Sequence, residues 1–359
     1  MFSPEQYRAL TEGAGLLDRS YRGRLRLGGQ DRRDYLQGLL TNDIAALTAG
    51  TGCYAALLTA QGRMISDMYV VETGDSVIID VEPEVVDRVR GLLEQFVFSE
   101  DVQVADETSA LAQVGVFGPS SPAVIVGALT CGGGERVRGG EIESLEILQN
   151  RTVSWRETPL VIVRRDDIGV AGFDLLIDRS QIENIVDALR SAGAEAVDRT
   201  ATDVTRIEAG RPLFHRDMDE TTIPLEAGIE ERAISLTKGC YVGQEIIIRV
   251  LHRGHGRVAR RLVGITLESA AAVPAAGDRL RVGDREVGSI TSAAWSPALQ
   301  RPIALGYVHR EFTEAGTAVE VVSASGALPG MVSRLPFVSR QAASTARSAR
   351  HQPVETPER

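Results

Sequence analysis

The stretch Lys238-Gly239-Cys240-Tyr241-Val242-Gly243-Gln244-Glu245 sets a single thiol between two glycines and close to a lysine. The apolar positions that follow Gly243 fit one face of a short helix, which predicts Cys240 in a loop just before a helix N-terminus, with Lys238 beside it. A helix N-terminus and a neighbouring cation both lower a cysteine pKa, and the thiolate is the form that attacks electrophiles or ligates metal. The competing reading is a small buried residue flanked by turn glycines. Cys53 lies before the apolar run 54–58, and Cys131 opens Gly132-Gly133-Gly134, positions that suit packing and loop roles.

Other chemistry-bearing patterns are weaker. His252-Arg253-Gly254-His255 has the spacing of two metal ligands on a helix but no acidic or cysteine ligand beside it, so no metal site is expected. The glycine triplet at 132–134 lacks the Gly-Lys-Ser/Thr ending of a phosphate loop, and no G-x-G-x-x-G follows a strand. The three cysteines form no C-x-x-C pair, which argues against a disulfide framework or a self-contained zinc or iron–sulfur site.

The rest of the composition bounds what those residues can serve. At 359 residues the chain exceeds the size at which one hydrophobic core stops growing, so two or three packed units are expected. With 43% hydrophobic and 25% charged residues the make-up is that of an ordinary globular protein. A formal net charge of −10 and 5% aromatics disfavour direct binding to nucleic acid, which needs a basic face and stacking platforms. Any anionic ligand must therefore be met by local arginines. No signal-like start and no apolar run of spanning length are present, so the expectation is a cytoplasmic protein without a membrane role.

The elements that must position the site repeat. Residues 68–72 and 77–81 flank Thr73-Gly74-Asp75, a hairpin signal, and lead into a helix with Pro83 near its first turn and Val85, Val89, Leu92 and Leu93 on one face. About ninety residues later the order returns. Segments 160–163 and 173–177 flank the loop Asp166-Asp167-Ile168-Gly169 and lead into a helix with a capping box at Ser180 and Glu183 and Gly193 as its C-cap. Two ββαβ units predict an α+β fold with internal pseudo-symmetry and a cleft between halves. Five short β-rich runs, 262–267, 279–282, 287–291, 303–308 and 318–322, predict a small C-terminal barrel or sandwich. Residues 339–359 have almost no large apolar residue and read as a disordered tail.

With these segments in view, residues 238–245 resemble the K-G-C-[FY]-x-G-Q-E signature of the YgfZ family, folate-binding relatives of the glycine cleavage system T protein. Arg22-Gly23 with Leu25, Gly29 to Asp31, and Leu39-Leu40-Thr41-Asn42-Asp43 are similar to that family's N-terminal pattern. Residues 57–67 (LLTAQGRMISD) resemble its pterin-site strand-turn-strand, 206–212 its R-x-E-x-G-x-P segment, and 332–337 its terminal L-P-F. The likeness runs to about residue 338 and implies a folate-binding α+β body of two intertwined parts over 1–256 and a β-barrel over 257–338.

The resemblance also implies roles. Asp67 matches the carboxylate that faces the reactive side of the pterin, where it can accept hydrogen bonds and shuttle a proton. The residue read alone is a solvated strand-end aspartate. Asp174 matches a pterin-holding glutamate, and Arg206 a folate-site arginine suited to carboxylates or a ring oxygen, against the alternative of a surface salt bridge to Glu208. Lys238 and Tyr241 of the motif join the implied folate contacts, and Arg249 and Arg253 are candidates for a polyglutamate tail. Two features depart from the transferase: its paired acids appear as Ser66-Asp67, and its aromatic pterin contact is replaced at Asp167.

The implied function is a tetrahydrofolate-binding accessory protein, holding tetrahydrofolate or a one-carbon derivative, in iron–sulfur cluster assembly or repair and thereby in tRNA modification. Its implied partners are iron–sulfur enzymes or assembly proteins, and Cys240 and Asp67 carry the chemistry. The alternative is a folate-dependent aminomethyltransferase or related one-carbon transferase.

Overall fold

The computed structural model describes residues 3–131, 139–252, 256–268, 272–324 and 326–340. Its strands run β1 Gly15–Asp18, β2 Gly23–Gly28, β3 Thr51–Leu58, β4 Met64–Glu72, β5 Val77–Val81 and β6 Gln103–Asp106 in the first part of the chain. They continue as β7 Leu111–Phe117, β8 Asn150–Trp155, β9 Thr158–Arg165, β10 Gly172–Asp178 and β11 Glu195–Ala196. The C-terminal strands are β12 Arg260–Leu267, β13 Arg279–Val282, β14 Arg285–Ser296, β15 Arg301–His309, β16 Ala318–Ser323 and β17 Gly326–Ser333.

Two sheets form the body. One has the order β3-β4-β5-β2-β6 and the other β11-β1-β7-β10-β9-β8. The shared motif is a three-stranded meander, β3-β4-β5 or β8-β9-β10, whose last strand pairs antiparallel with the strand that preceded the meander, β2 or β7. β1 comes from the N-terminus yet lies in the second sheet between β7 and β11, so the two halves are intertwined.

Alternation along each strand explains the layering. In the first sheet Met68, Val70, Val77 and Ile79 face a core shared with the helices Arg32–Leu39 and Val86–Gln95. In the second, Leu160, Ile162, Leu175 and Ile177 face the helices Ser121–Cys131 and Ile182–Ser191. The alternate residues turn inward: Val71, Ile78, Val161, Val163 and Leu176 bury each other between the sheets. The result is a helix–sheet–sheet–helix sandwich whose middle layer is where charged residues of the same inward face must also go.

The six late strands close a barrel in the order β12-β15-β14-β13-β16-β17 around Ile265, Leu280, Ile290, Ala304 and Val321. β17 was not among the expected strands, because Pro329 and two glycines, Gly326 and Gly330, break its β pattern; it pairs with β16 and β12 and completes the closure. Ile207 of the helix Arg199–Glu208 packs on the barrel's outer residues Leu262, Ile303 and Leu305, joining barrel to body. The capping box expected at Ser180 and Glu183 does not form. Asp178 accepts from the Ser180 N–H at 2.9 Å instead, and a tight turn Arg179–Gln181 moves the helix start to Ile182. Arg340, placed by sequence in a tail without order, donates to Glu208 and to the Tyr7 hydroxyl; residues 341–359 of that expected tail lie outside the described residues.

Candidate functional site

At one end of the middle layer the apolar contacts between the sheets give way to a cavity. Arg19, Tyr21 and Arg22 enter it from the β1–β2 connection, Asp67 and Tyr69 from β4, and Asp167 from the β9–β10 loop. Arg199, Asp203 and Arg206 close it from the helix Arg199–Glu208. The cavity has a volume of about 60 Å³.

Behind the cavity lies a buried ionic network that ties the two sheets together. Arg165 of β9 reaches Asp80 of β5 at 3.0 Å, Asp167 at 3.3 Å and Asp174 of β10 at 3.4 Å, and its guanidinium lies 3.6 Å from the centre of the Tyr69 ring. Gln113 of β7 bridges the same acids, its amide donating to Asp80 at 3.0 Å and to Asp174 at 2.9 Å. Arg22 binds Asp80 and Glu82, and Arg19 binds Asp167. Burial opposes ionisation of Asp167 and Asp80, yet the adjoining guanidiniums overcome it and hold both below the usual carboxylate range. Asp174 is the exception. Burial raises its pKa, its Oδ1 makes no hydrogen bond, and it stands behind the cavity wall instead of lining it.

Asp67 sits apart from this network. It shares the inward face of β4 with Tyr69, and the Tyr54 hydroxyl of β3 donates to its Oδ2 at 2.7 Å. The residue is surrounded by protein but keeps partial exposure through the cavity. Among the described residues no cation forms a salt bridge with it, so burial pushes its pKa up to about 6 while the Tyr54 hydrogen bond pulls the other way. A carboxylate that titrates near neutrality and faces a cavity is equipped to accept and return a proton.

Arg206 also lines the cavity, but four of its five N–H donors are engaged: Nε on Asp203, Nη1 on Asp217 and the Arg211 carbonyl, and Nη2 on Ser292 of β14. Neither a ligand carboxylate nor Glu208 is its partner here. It stitches the body to the barrel, and Glu208 instead binds Tyr7, Ser296 and Arg340.

The cysteine loop is built elsewhere. Cys240 is exposed, as a reactive thiol should be, and the helix Gln244–His252 follows it as expected. Lys238, however, is buried and turned inward, donating to the carbonyls of Gln37, Leu40 and Asn42 at 2.7, 2.6 and 2.9 Å. All three ammonium protons are used on backbone carbonyls, so Lys238 pins the loop. Burial lowers its pKa to about 8, against the raising effect of the Asp43 carboxylate. Cys53 alternates with Tyr54 along β3, so it points away from the Asp67 face. Gly243, at φ 85°, lies against the tip of the β3–β4 hairpin, where a Cβ would stand 2.5 Å from the Thr59 carbonyl oxygen.

Cys240, Lys238, Tyr241 and Arg249 are therefore not among the cavity-lining residues. Tyr241 is buried with an unpartnered hydroxyl, and Arg249 is an exposed residue paired with Glu245 at 2.6 Å. Arg253 and His255 lie outside the described residues, as do Gly132 to Gly134. Replacing Lys238 with methionine leaves three carbonyls without a donor. The expected cost is about 1–3 kcal/mol, read as a lower urea midpoint at pH 7.

Sequence reasoning missed Tyr54, Arg19, Arg22, Asp80, Gln113 and Arg165. One signal was available: Asp80 interrupts the apolar run of β5, and a charge inside a fully buried strand implies a buried partner. Among the described residues no group of three or more His, Cys, Asp or Glu is placed to hold a metal ion, and no helix is long and apolar enough to cross a membrane.

Residues 2–238 match the GCVT N-terminal domain family, and residues 260–339 the glycine cleavage T-protein C-terminal barrel domain. The chain is 28% identical over 343 residues to an aminomethyltransferase of Streptomyces avermitilis, covering 94% of this chain and 90% of that protein. An aminomethyltransferase of Symbiobacterium thermophilum is 29% identical over 348 residues, covering 93% and 88%. Among solved structures, the glycine cleavage system aminomethyltransferase T from Bartonella henselae superposes with a TM-score of 0.82 at 22% identity, over 93% of this chain and 89% of that one.

Proposed function

Because this chain belongs to the glycine cleavage T-protein family, we propose that it is a tetrahydrofolate-dependent one-carbon transferase of the aminomethyltransferase type, working in the cavity between its two sheets. The observation that carries this reading is Asp67, a proton-exchanging carboxylate with one oxygen held by Tyr54 and the other left for a ligand.

The cavity suits a reduced pteridine by its chemistry. Asp67 accepts from ring N–H donors, and Leu17, Ile168 and Leu213 supply apolar lining. The cavity, at about 60 Å³, has room for only a few water molecules, so the ring system enters as the lining side chains move apart and presents its edge to Asp67. When bound, tetrahydrofolate supplies a nucleophilic nitrogen for a one-carbon unit. Asp67 takes up a proton and returns it, and Tyr54 fixes the carboxylate rotamer throughout. Arg19 and Arg165 hold Asp167 as an anion in the place where transferases of this type carry an aromatic contact, which gives this cavity a more polar wall.

The test is turnover. Purified protein with tetrahydrofolate and a methylamine-type one-carbon donor should transfer the one-carbon unit in a tetrahydrofolate-dependent reaction; tight tetrahydrofolate binding with no turnover of any such donor contradicts a transferase.

One observation favours a second reading, an accessory role for a YgfZ-type protein in iron–sulfur cluster assembly or repair and thereby in tRNA modification. Cys240 is exposed on a loop that Lys238 and Gly243 hold in place and is not among the residues lining the cavity, as suits a thiol that meets a partner protein. A deletion strain complemented with Cys240→Ala and scored for iron–sulfur enzyme activity decides it: full rescue contradicts this second role.

A further inference from the structure

Four arginines line the cavity, and three of them have no charge to spare. Arg19 is held by Asp167 and Asp174, Arg22 by Asp80 and Glu82, and Arg206 by Asp203 and Asp217. The acids of the lining are committed in the same way, Asp203 also binding Arg216 and Asp67 accepting from Tyr54. Arg199 differs. It is exposed at the start of the helix Arg199–Glu208, its guanidinium lies over the Tyr21 ring at 4.3 Å, and it has no salt bridge to any carboxylate among the described residues. The neighbouring Asp198 is occupied in capping the helix, accepting from Thr200 and Ala201 N–H groups.

We propose that Arg199, stacked on Tyr21, is the subsite for the carboxylate tail of the ligand whose ring system lies against Asp67. The assignment rests on the reading that a reduced pteridine occupies the cavity. A guanidinium held over an arene by a cation–π contact keeps its N–H donors for another partner, and a planar guanidinium can grip a carboxylate through two parallel hydrogen bonds. Among the lining residues the charges of Arg19, Arg22 and Arg206 are already neutralised by acids and Asp67 suits a neutral, hydrogen-bond-donating head, so the anionic end of a ligand is left to the exposed Arg199. A ligand with a neutral bicyclic head, an aryl spacer and one or more terminal glutamates matches that order of surfaces. Specificity for the glutamate arm then belongs to Arg199, in place of Arg206, whose charge Asp203 and Asp217 already meet, or Arg249, which does not line the cavity.

The experiment compares tetrahydropteroate, which lacks glutamate, with tetrahydrofolate and its triglutamate by calorimetric titration of the full-length protein and of Arg199→Gln. Wild type is expected to prefer the glutamate-bearing ligands roughly tenfold, the worth of a charge-assisted hydrogen-bond pair at an exposed site. Arg199→Gln should erase the preference and leave tetrahydropteroate affinity unchanged, and Arg199→Glu should invert it. A preference that survives in Arg199→Gln, or an equal loss for both kinds of ligand, overturns the assignment. If tetrahydropteroate binds wild type as tightly as tetrahydrofolate, the subsite falls and the pteridine cavity stands; if nothing binds wild type, both fall.

Discussion

Asp67→Asn is expected to slow one-carbon transfer by roughly 10²–10⁴-fold while making the protein more stable at neutral pH, a pairing that a merely structural residue would not produce. The loss follows from removing the proton acceptor without changing shape, since asparagine still accepts from the Tyr54 hydroxyl. The gain follows from linkage. The Asp67 pKa is raised from 3.8 to about 6, chiefly by burial, so the folded state holds its proton to higher pH than the unfolded chain does. Wild-type stability therefore falls as pH rises from about 4 to about 6 and carries the full penalty above that. The penalty has an upper limit of about 3 kcal/mol, reduced by the water the cavity admits. Urea denaturation of both proteins from pH 4 to pH 8 should show curves that coincide at the acid end and separate in favour of the variant above pH 6. Equal stabilities at every pH, or a less stable variant at pH 8, would remove the raised pKa from the account.

The largest stability loss is expected from Arg165→Leu. This side chain meets Asp80, Asp167 and Asp174 and covers the Tyr69 ring, all of them buried. Leucine fills part of the volume but leaves three acids with only Arg19, Arg22 and Gln113 to answer them. Breaking a buried ion network on one side costs about 3–5 kcal/mol, because the remaining charges stay desolvated without compensation. The loss should be greatest at neutral pH and shrink as pH falls, since Asp174, whose pKa burial already raises, takes up a proton first. Adding Asp174→Asn to Arg165→Leu should restore part of the stability, a coupling that a double-mutant cycle measures. Strict additivity of the two losses would show that the network does not act as a unit.

Local features were the most legible. The Thr73-Gly74-Asp75 turn, the helices after Pro83 and after Gly243, and five of the six barrel strands follow from periodicity and turn chemistry, and the structure has each of them. The insertion of β1 into the second sheet was not readable, because a four-residue strand pairing with β7 and β11 leaves no local pattern. At the site, residue types were more legible than partners. Asp67 and Arg206 do meet at one cavity, but nothing in an R-x-E-x-G-x-P segment reveals that Asp217 and Ser292 already hold the guanidinium. Lys238 is the sharper case. Its spacing to Cys240 suggested an aid to the thiol, whereas its ammonium binds carbonyls of a loop about two hundred residues earlier in the chain. Direction of a side chain is a tertiary property, and short-range spacing carries no information about it.

The central claim is that a carboxylate poised to exchange its proton faces the ligand in the cavity between the sheets. It is tested most directly by the carboxyl carbon resonance of Asp67, assigned by its disappearance in Asp67→Asn and followed through a pH titration with and without tetrahydrofolate. The expected result is a midpoint near 6 in the free protein that moves when tetrahydrofolate is added to saturation. A midpoint in the ordinary carboxylate range, or a titration that tetrahydrofolate leaves unchanged, would contradict it.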